Sequence, residues 1–256
     1  MAPTLNANSA EVWYRETVLL DERAIRQAVQ LLSVSEQVRY ERLLTSSGRR
    51  DYACAHALLR TVLSRFERRP PETWSFEVAP GGKPVLPSGD PARISFNLSH
   101  TEGVVACIVA PGHEVGVDVE IARRGSQKER VAARYFSVEE NAELAACGDD
   151  ERASRFVEFW TLKEAYLKAI GKGLADRLDD VSFDLRAPGR IRFTRSQTRD
   201  LNQWQFATFE PTPEHRVAVA IRRDNGYAVR IVAINADAPT KEPLAPVRTS
   251  CPGNAQ

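Results

Sequence analysis

Alternation of apolar and polar residues is clearest in the stretch Val115-Gly116-Val117-Asp118-Val119-Glu120-Ile121. Its valines and isoleucine recur at every second position, the period of a strand with one buried face. The other face carries Gly116, Asp118 and Glu120. Two carboxylates thus stand side by side in an element poor in acidic residues, where like charges repel. Alternating or short apolar runs bounded by turn residues predict further strands in WSFEV and PVL around a Gly-Gly turn. They also predict strands in RISFNLSH, GVVACIVA, VSFDL, RIRFT, WQFATF, HRVAVAIR and YAVRIVAI.

Helical spacing appears elsewhere. LLSVSEQVRYERLL places Ser33 and Glu36 at capping-box separation, and FSVEENAELAAC does the same with Ser137 and Glu140. RRDYACAHALLRTVLSRF sets Tyr52, Leu59, Val62, Leu63 and Phe66 on one stripe and is broken by Pro70-Pro71. RASRFVEFWTLKEAYLKAIGKGL predicts a long helix with Phe156, Phe159, Trp160, Tyr166, Leu167 and Ile170 inward and Gly171 as its terminator. Residues 1–10 read as frayed.

Helices and hairpins in blocks point to an α+β fold rather than a parallel α/β sheet. An internal echo extends this. ISFNLSHTEGVVACIV and WQFATFEPTPEHRVAVAI each run strand, histidine (His100, His215), alternating strand, with helices before both. The expectation is two pseudo-symmetric halves, 11–112 and 113–235, each with helices packed on a small, mostly antiparallel sheet. The tail 236–256, rich in Pro and small residues, is expected to be disordered or loosely packed.

Composition narrows the partners. A net charge of +1 over 256 residues gives no global field that would demand nucleic acid or an anionic membrane. No stretch approaches the roughly 18 apolar residues of a membrane span. The N-terminus shows neither the basic start nor the apolar run of a signal peptide. A cytoplasmic monomer is the expectation. None of the four cysteines forms a CxxC pair, which argues against a zinc site, and Cys54 and Cys107 read as small core residues.

The strand acids are either the solvated face of a half-buried strand or ligands for a hard divalent cation, since Mg²⁺ uses one or two carboxylates together with substrate phosphates. A third acid, Glu164, lies on the long helix four residues before Lys168, where an exposed ion pair worth about 0.2–0.5 kcal/mol is the plainer reading. His100 in FNLSHTEG is either a turn histidine or, with its hydroxyl neighbours, a phosphate contact. Lys83 in GGKPVL is a cationic arm at a turn. Arg39, Arg42, Arg49, Arg50 and Arg60 make the early helices basic. No GxSxG element supports a serine nucleophile.

In this order, GGKP, FNLSHTEG, VGVDVE and FWTLKEAYLKAIGKGL resemble the Sfp-type 4′-phosphopantetheinyl transferases over about residues 30–235. The resemblance implies two α+β halves with the active site between them. It also implies Mg²⁺-dependent transfer of phosphopantetheine from coenzyme A to a serine of an apo acyl or peptidyl carrier protein. Adenosine 3′,5′-bisphosphate is released. Asp118, Glu120 and Glu164 would hold the metal. Lys83, Ser99, His100 and Lys168 would contact coenzyme A phosphates, joined by Lys163 of the WxxKE motif. Glu164 would serve as the base, and Glu120 and Lys168 would complete the catalytic set. Many relatives carry an arginine where this chain has His56, followed by Ala57. Arg39, Arg49 or Arg50 would then grip the 3′-phosphate. The basic run Arg123, Arg124, Lys128, Arg130 and Arg134, with Val131 and Phe136, is a candidate landing surface for an acidic carrier-protein helix. The competing readings are a non-catalytic coenzyme A or carrier-protein binding module and a Mg²⁺-dependent pyrophosphate hydrolase.

Overall fold

A computed structural model of the chain describes residues 8–79, 82–122, 129–172, 178–196, 200–223 and 227–250. The first sheet has the order β11-β1-β5-β4, formed by Arg230–Asn235, Ser9–Glu16, Val104–Pro111 and Ile94–Thr101. The second has the order β12-β9-β10-β6, formed by Arg248–Thr249, Trp204–Thr212, His215–Arg222 and Val115–Ile121. Two short hairpins complete the strands: β2 Glu77–Val78 with β3 Pro84–Val85, and β7 Ser182–Asp184 with β8 Arg192–Arg195. The helices are α1 Glu22–Gln30, α2 Val34–Arg42, α3 Ser46–Phe66, α4 Glu129–Tyr135, α5 Val138–Ala146 and α6 Asp149–Ala169.

The α+β class read from the sequence holds, and the echo is architectural. β1, α3 and the β4–β5 hairpin repeat as β6, α6 and the β9–β10 hairpin, with the hairpin's second strand central in both sheets. Alternation along the central strands explains the layering. Val105, Cys107 and Val109 of β5 face α3, whereas Val104, Ala106 and Ile108 face the second sheet. In β10, Val217, Val219 and Ile221 face the first sheet, and Ala218 and Ala220 face α6. The result is four layers, α3, sheet, sheet and α6. Cys54 and Cys107 are buried as expected, and burial pushes the Cys54 thiol up to about 11.

Three boundaries differ from the sequence reading. Ser9 and Ala10, expected to fray, are strand residues paired with Arg230 and Ile231. The last strand of the expected C-terminal half, β11, runs parallel to β1 in the first sheet, so no single cut separates the sheets. The tail expected to lie loosely is instead tied down through residue 250. Leu244 N donates to Ala233 O at 2.8 Å, Val247 N to Thr208 O at 2.8 Å, and Arg248 Nη1 to Leu185 O at 3.0 Å.

Both capping boxes are present. Ser33 and Glu36 start α2, and Ser137 and Glu140 start α5. Gly171 takes φ 73° just past α6, the left-handed conformation that ends a helix.

Candidate active site at the seam of the two sheets

β4 and β6 are edge strands of different sheets, and they meet without a backbone ladder. Side chains of β4 seal the join instead. Val117 N donates to Asn97 Oδ1 at 2.9 Å and Val119 N to Ser99 Oγ at 3.4 Å. Lys83 Nζ donates to Val115 O at 2.9 Å from the turn after β2. Three edge groups of β6 are thus satisfied by a lysine, an asparagine and a serine. Asn97 escaped the sequence reading; its signal was its spacing of two from Ser99, which puts both on one face of a strand.

Gly116 is a packing position. A Cβ built there would lie 2.0 Å from Ala165 O and 2.5 Å from Ala169 N. The missing side chain lets α6 pack backbone against backbone on β6, and this close approach brings the acids of the strand to Lys168 on the helix.

At the seam, Ser99 Oγ donates to Asp118 Oδ1 at 2.9 Å, and Lys168 Nζ donates to that same oxygen at 2.7 Å and to Ser99 Oγ at 2.8 Å. The serine hydroxyl thereby spends its one proton and accepts from Lys168 and Val119. Asp118 is buried, and its Oδ2 has no hydrogen-bond partner among the described residues. Glu164 is 7 % exposed, one helical turn before Lys168. Glu120 lies directly opposite Arg216 in the β6–β10 register. Lys168 offsets the charge of Asp118, while the guanidinium of Arg216, opposite Glu120 in the register, lies 3.2 Å from Glu210.

Among the described residues, no three His, Cys, Asp or Glu side chains are gathered into a ready-made metal cluster. The donor set still fits a hard cation in part. It offers carboxylate oxygens on two adjoining elements, one of them buried and unsatisfied, which suits an ion that takes further ligands from a phosphate.

A cleft of about 280 Å³ opens beside the seam, lined by Arg39, Tyr52, His56, Phe76, Leu98 and His100 among others. His100 lies within β4, not in a turn, and it faces away from its neighbour Ser99 by the alternation of the strand. Its ring stands edge-on to Tyr52 at 6.2 Å. His100 keeps an exposed face, and the protein packed around the rest of its ring lowers the imidazole pKa to about 4, with Asp51 opposing and His56, Lys168 and Arg39 adding to the effect. His100 is therefore neutral at pH 7. His56 Nδ1 lies 2.7 Å from Glu36 Oε1, and Arg60 Nη2 is 2.7 Å from Glu36 Oε2. Burial raises the Glu36 pKa, but His56, the Ser33 amide and Arg60 outweigh it and hold the carboxyl at about 2. Burial also lowers Lys83 to about 8, against the pull of Glu114.

The structure sorts the three candidate arginines. Arg49 donates to Leu43 O and Glu41 O at the end of α2. Arg50 Nε donates to Asp51 Oδ1 at 3.1 Å and Thr17 Oγ1 at 3.3 Å, which ties it to the base of α3. Arg39 lines the cleft, 5.9 Å above the Tyr52 ring. Lys163 is a clear correction. It is fully buried, its Nζ lies 2.7 Å from Glu140 Oε2, and it donates to Leu178 O at 2.9 Å and to Val181 O. It holds α5, α6 and the segment entering β7 together and does not reach the cleft. Phe136, offered as an exposed docking contact, is buried and stacked on Phe156 at 4.9 Å. Arg123, Arg124, Lys128 and the side chain of Arg130 lie outside the described residues.

Among the described residues, no helix is long and apolar enough to cross a membrane. The family model of the 4′-phosphopantetheinyl transferase superfamily matches residues 114–222, which begin just before β6 and end with β10. The chain is 31% identical over 185 residues to the 4′-phosphopantetheinyl transferase HetI of Nostoc sp., covering 71% of this chain and 76% of that one. It is 30% identical over 162 residues to the 4′-phosphopantetheinyl transferase Sfp of Bacillus subtilis, covering 63% and 69%. Among solved structures, the holo-[acyl-carrier-protein] synthase of Thermotoga maritima aligns with a TM-score of 0.36 at 24% identity, over 43% of this chain and 62% of that one. The seam acids, Glu164 and Lys168 all fall within the matched region, and the chain belongs to the 4′-phosphopantetheinyl transferase family.

Proposed function

We propose that the protein transfers the 4′-phosphopantetheine of coenzyme A to a serine hydroxyl of an apo acyl or peptidyl carrier protein, with Mg²⁺, releasing adenosine 3′,5′-bisphosphate. The observation that carries this reading is the Asp118–Ser99–Lys168 cluster, drawn from β6, β4 and α6, beside a cleft of about 280 Å³. The nucleophile belongs to the partner, so the chain needs only to hold phosphates, balance their charge and accept a proton.

In this reading the cleft receives the adenosine end of the donor. Arg39 supplies the cation for the 3′-phosphate, taking the part that Arg49 and Arg50 are positioned elsewhere to play. His100, neutral in the free protein, donates a hydrogen bond to a phosphate and gains a proton as the anion raises its pKa. Lys168 moves its ammonium from Asp118 to the pyrophosphate and there offsets the charge that develops on the leaving oxygen. Lys83 steadies the seam through Val115 and adds positive potential. Asp118, Glu120 and Glu164 would hold Mg²⁺, which when bound neutralises pyrophosphate charge. A Glu164 carboxylate oxygen takes the proton of the incoming serine, directly or through water. The whole site lies on one chain, in keeping with a monomer.

The test is incubation with coenzyme A, Mg²⁺ and a panel of apo carrier proteins, followed by intact mass measurement. One phosphopantetheine per acceptor is expected. No addition across the panel would reject the reading, and adenosine 3′,5′-bisphosphate formed without any acceptor would turn it toward hydrolysis.

A further inference from the structure

A cation of the protein itself already lies against one oxygen of Asp118 and balances its charge, while the other oxygen has no hydrogen-bond partner among the described residues. Lys168 Nζ sits 2.7 Å from Asp118 Oδ1. The two partners are not held alike. The Asp118 side chain is 8 % exposed and anchored by Ser99, whereas that of Lys168 is 29 % exposed. Lysine is a compact charge on a flexible four-carbon stem, so Lys168 is the partner that can leave. The acids, moreover, are not gathered into a closed set.

We infer that Lys168 is an internal counter-ion that keeps the acid site closed to divalent cations until the donor's phosphates draw the ammonium away, so that cation binding depends on donor binding. This rests on the proposed reading of the acids as metal ligands and adds an order to it. With Lys168 on Asp118, an incoming cation meets a carboxylate already neutralised and a like charge beside it. The donor's pyrophosphate changes both conditions: it offers Lys168 another anion and supplies oxygens of its own to the metal. Linkage makes the coupling reciprocal, so the donor tightens the cation by the factor by which the cation tightens the donor. The arrangement also spares the free enzyme from holding a metal at a seam lacking its phosphate ligands.

The probe is Mn²⁺, followed by loss of its free paramagnetic resonance signal on titration into the protein with and without coenzyme A. Without coenzyme A, Lys168→Met and, as a second neutral variant, Lys168→Gln should bind Mn²⁺ about tenfold or more tightly than the unaltered protein, while Lys168→Arg should bind as weakly. Coenzyme A should tighten Mn²⁺ at least tenfold in the unaltered protein and much less in the neutral variants. Equal Mn²⁺ affinity of the unaltered protein and both neutral variants without coenzyme A would overturn the inference while leaving the metal reading standing. No Mn²⁺ binding even with coenzyme A, or binding that survives Asp118→Asn, would overturn the metal reading and the inference together.

Discussion

α3 and α6 occupy the same place in the two repeats, each 21 residues long and each covering the outer face of its own sheet. Both bury charge, and they put it to different uses. In α3 the buried Asp51 accepts from Thr17 and from Gly103 N, so it fastens the helix to the β4–β5 turn. Buried Tyr52 and half-buried His56 of the same helix line the cleft. In α6 two lysines five residues apart divide the same duties. Lys163 is locked among Glu140 and backbone carbonyls, and Lys168 is offered to the seam. Each helix thus buries charges that fasten it, Asp51 and Arg60 in α3 and Glu158 and Lys163 in α6, and presents other polar side chains elsewhere, Tyr52 and His56 at the cleft and Lys168 at the seam.

The sharpest way to break this division is at the seam. Asp118→Asn should lower phosphopantetheine transfer by about 10²–10³-fold, on the scale of a lost electrostatic element in an active site, with coenzyme A affinity followed separately by calorimetry. Glu164→Gln should fall comparably, and a rate near that of the unaltered protein would remove Glu164 as the base. The next largest effect is on stability. Lys163→Met strands Glu140 in the core and should cost about 3–5 kcal/mol in urea unfolding, whereas Lys163→Met combined with Glu140→Gln, which removes the stranded charge and keeps an acceptor for the Ser137 and Phe183 amides, should recover part of it. A transfer defect that persisted in the refolded double variant would assign Lys163 to chemistry and blur the contrast with Lys168. Gly116→Ala forces α6 off β6 and should cost about 1–3 kcal/mol as overpacking, with a larger loss of transfer than of stability.

Smaller effects test the cleft side. Arg39→Ala should weaken coenzyme A about tenfold, near the roughly 1.5–3 kcal/mol of a charged hydrogen bond. Arg49→Ala should leave that affinity unchanged and lose only its contacts with the end of α2. The smallest is a pH effect. The His100 pKa of about 4 lies below its ordinary value near 6.5, so the unfolded chain binds the proton first. This contribution to stability is complete above about pH 6.5 and is lost as pH falls through 6.5 toward 4. His100→Asn should flatten that part of the pH–stability profile, measured as unfolding midpoints across the window.

Local rules carried much of this. Strand alternation put Asp118 and Glu120 on one face, and capping-box spacing fixed the starts of α2 and α5. What escaped was decided by partners distant in sequence. Lys163 and Lys168 share one motif, and nothing in the helical period says that the carbonyls of Leu178 and Val181 wait for the first. The packing role of Gly116 escaped because the backbone it approaches, that of Ala165, arrives from another element. The pairing of β1 with β11 joins the two ends of the chain, beyond the reach of any local pattern.

The side-chain seam between β4 and β6 has a consequence for how the molecule behaves among others. An edge strand with free amides can be extended by any passing strand, whatever its sequence. Here Asn97 and Ser99 occupy the amides of Val117 and Val119, and only a strand with those two side chains at that spacing could stand in for β4. Each repeat therefore guards the other's open edge, and loss of Asn97 or Ser99 would expose a protein built from two sheets to self-association into a third.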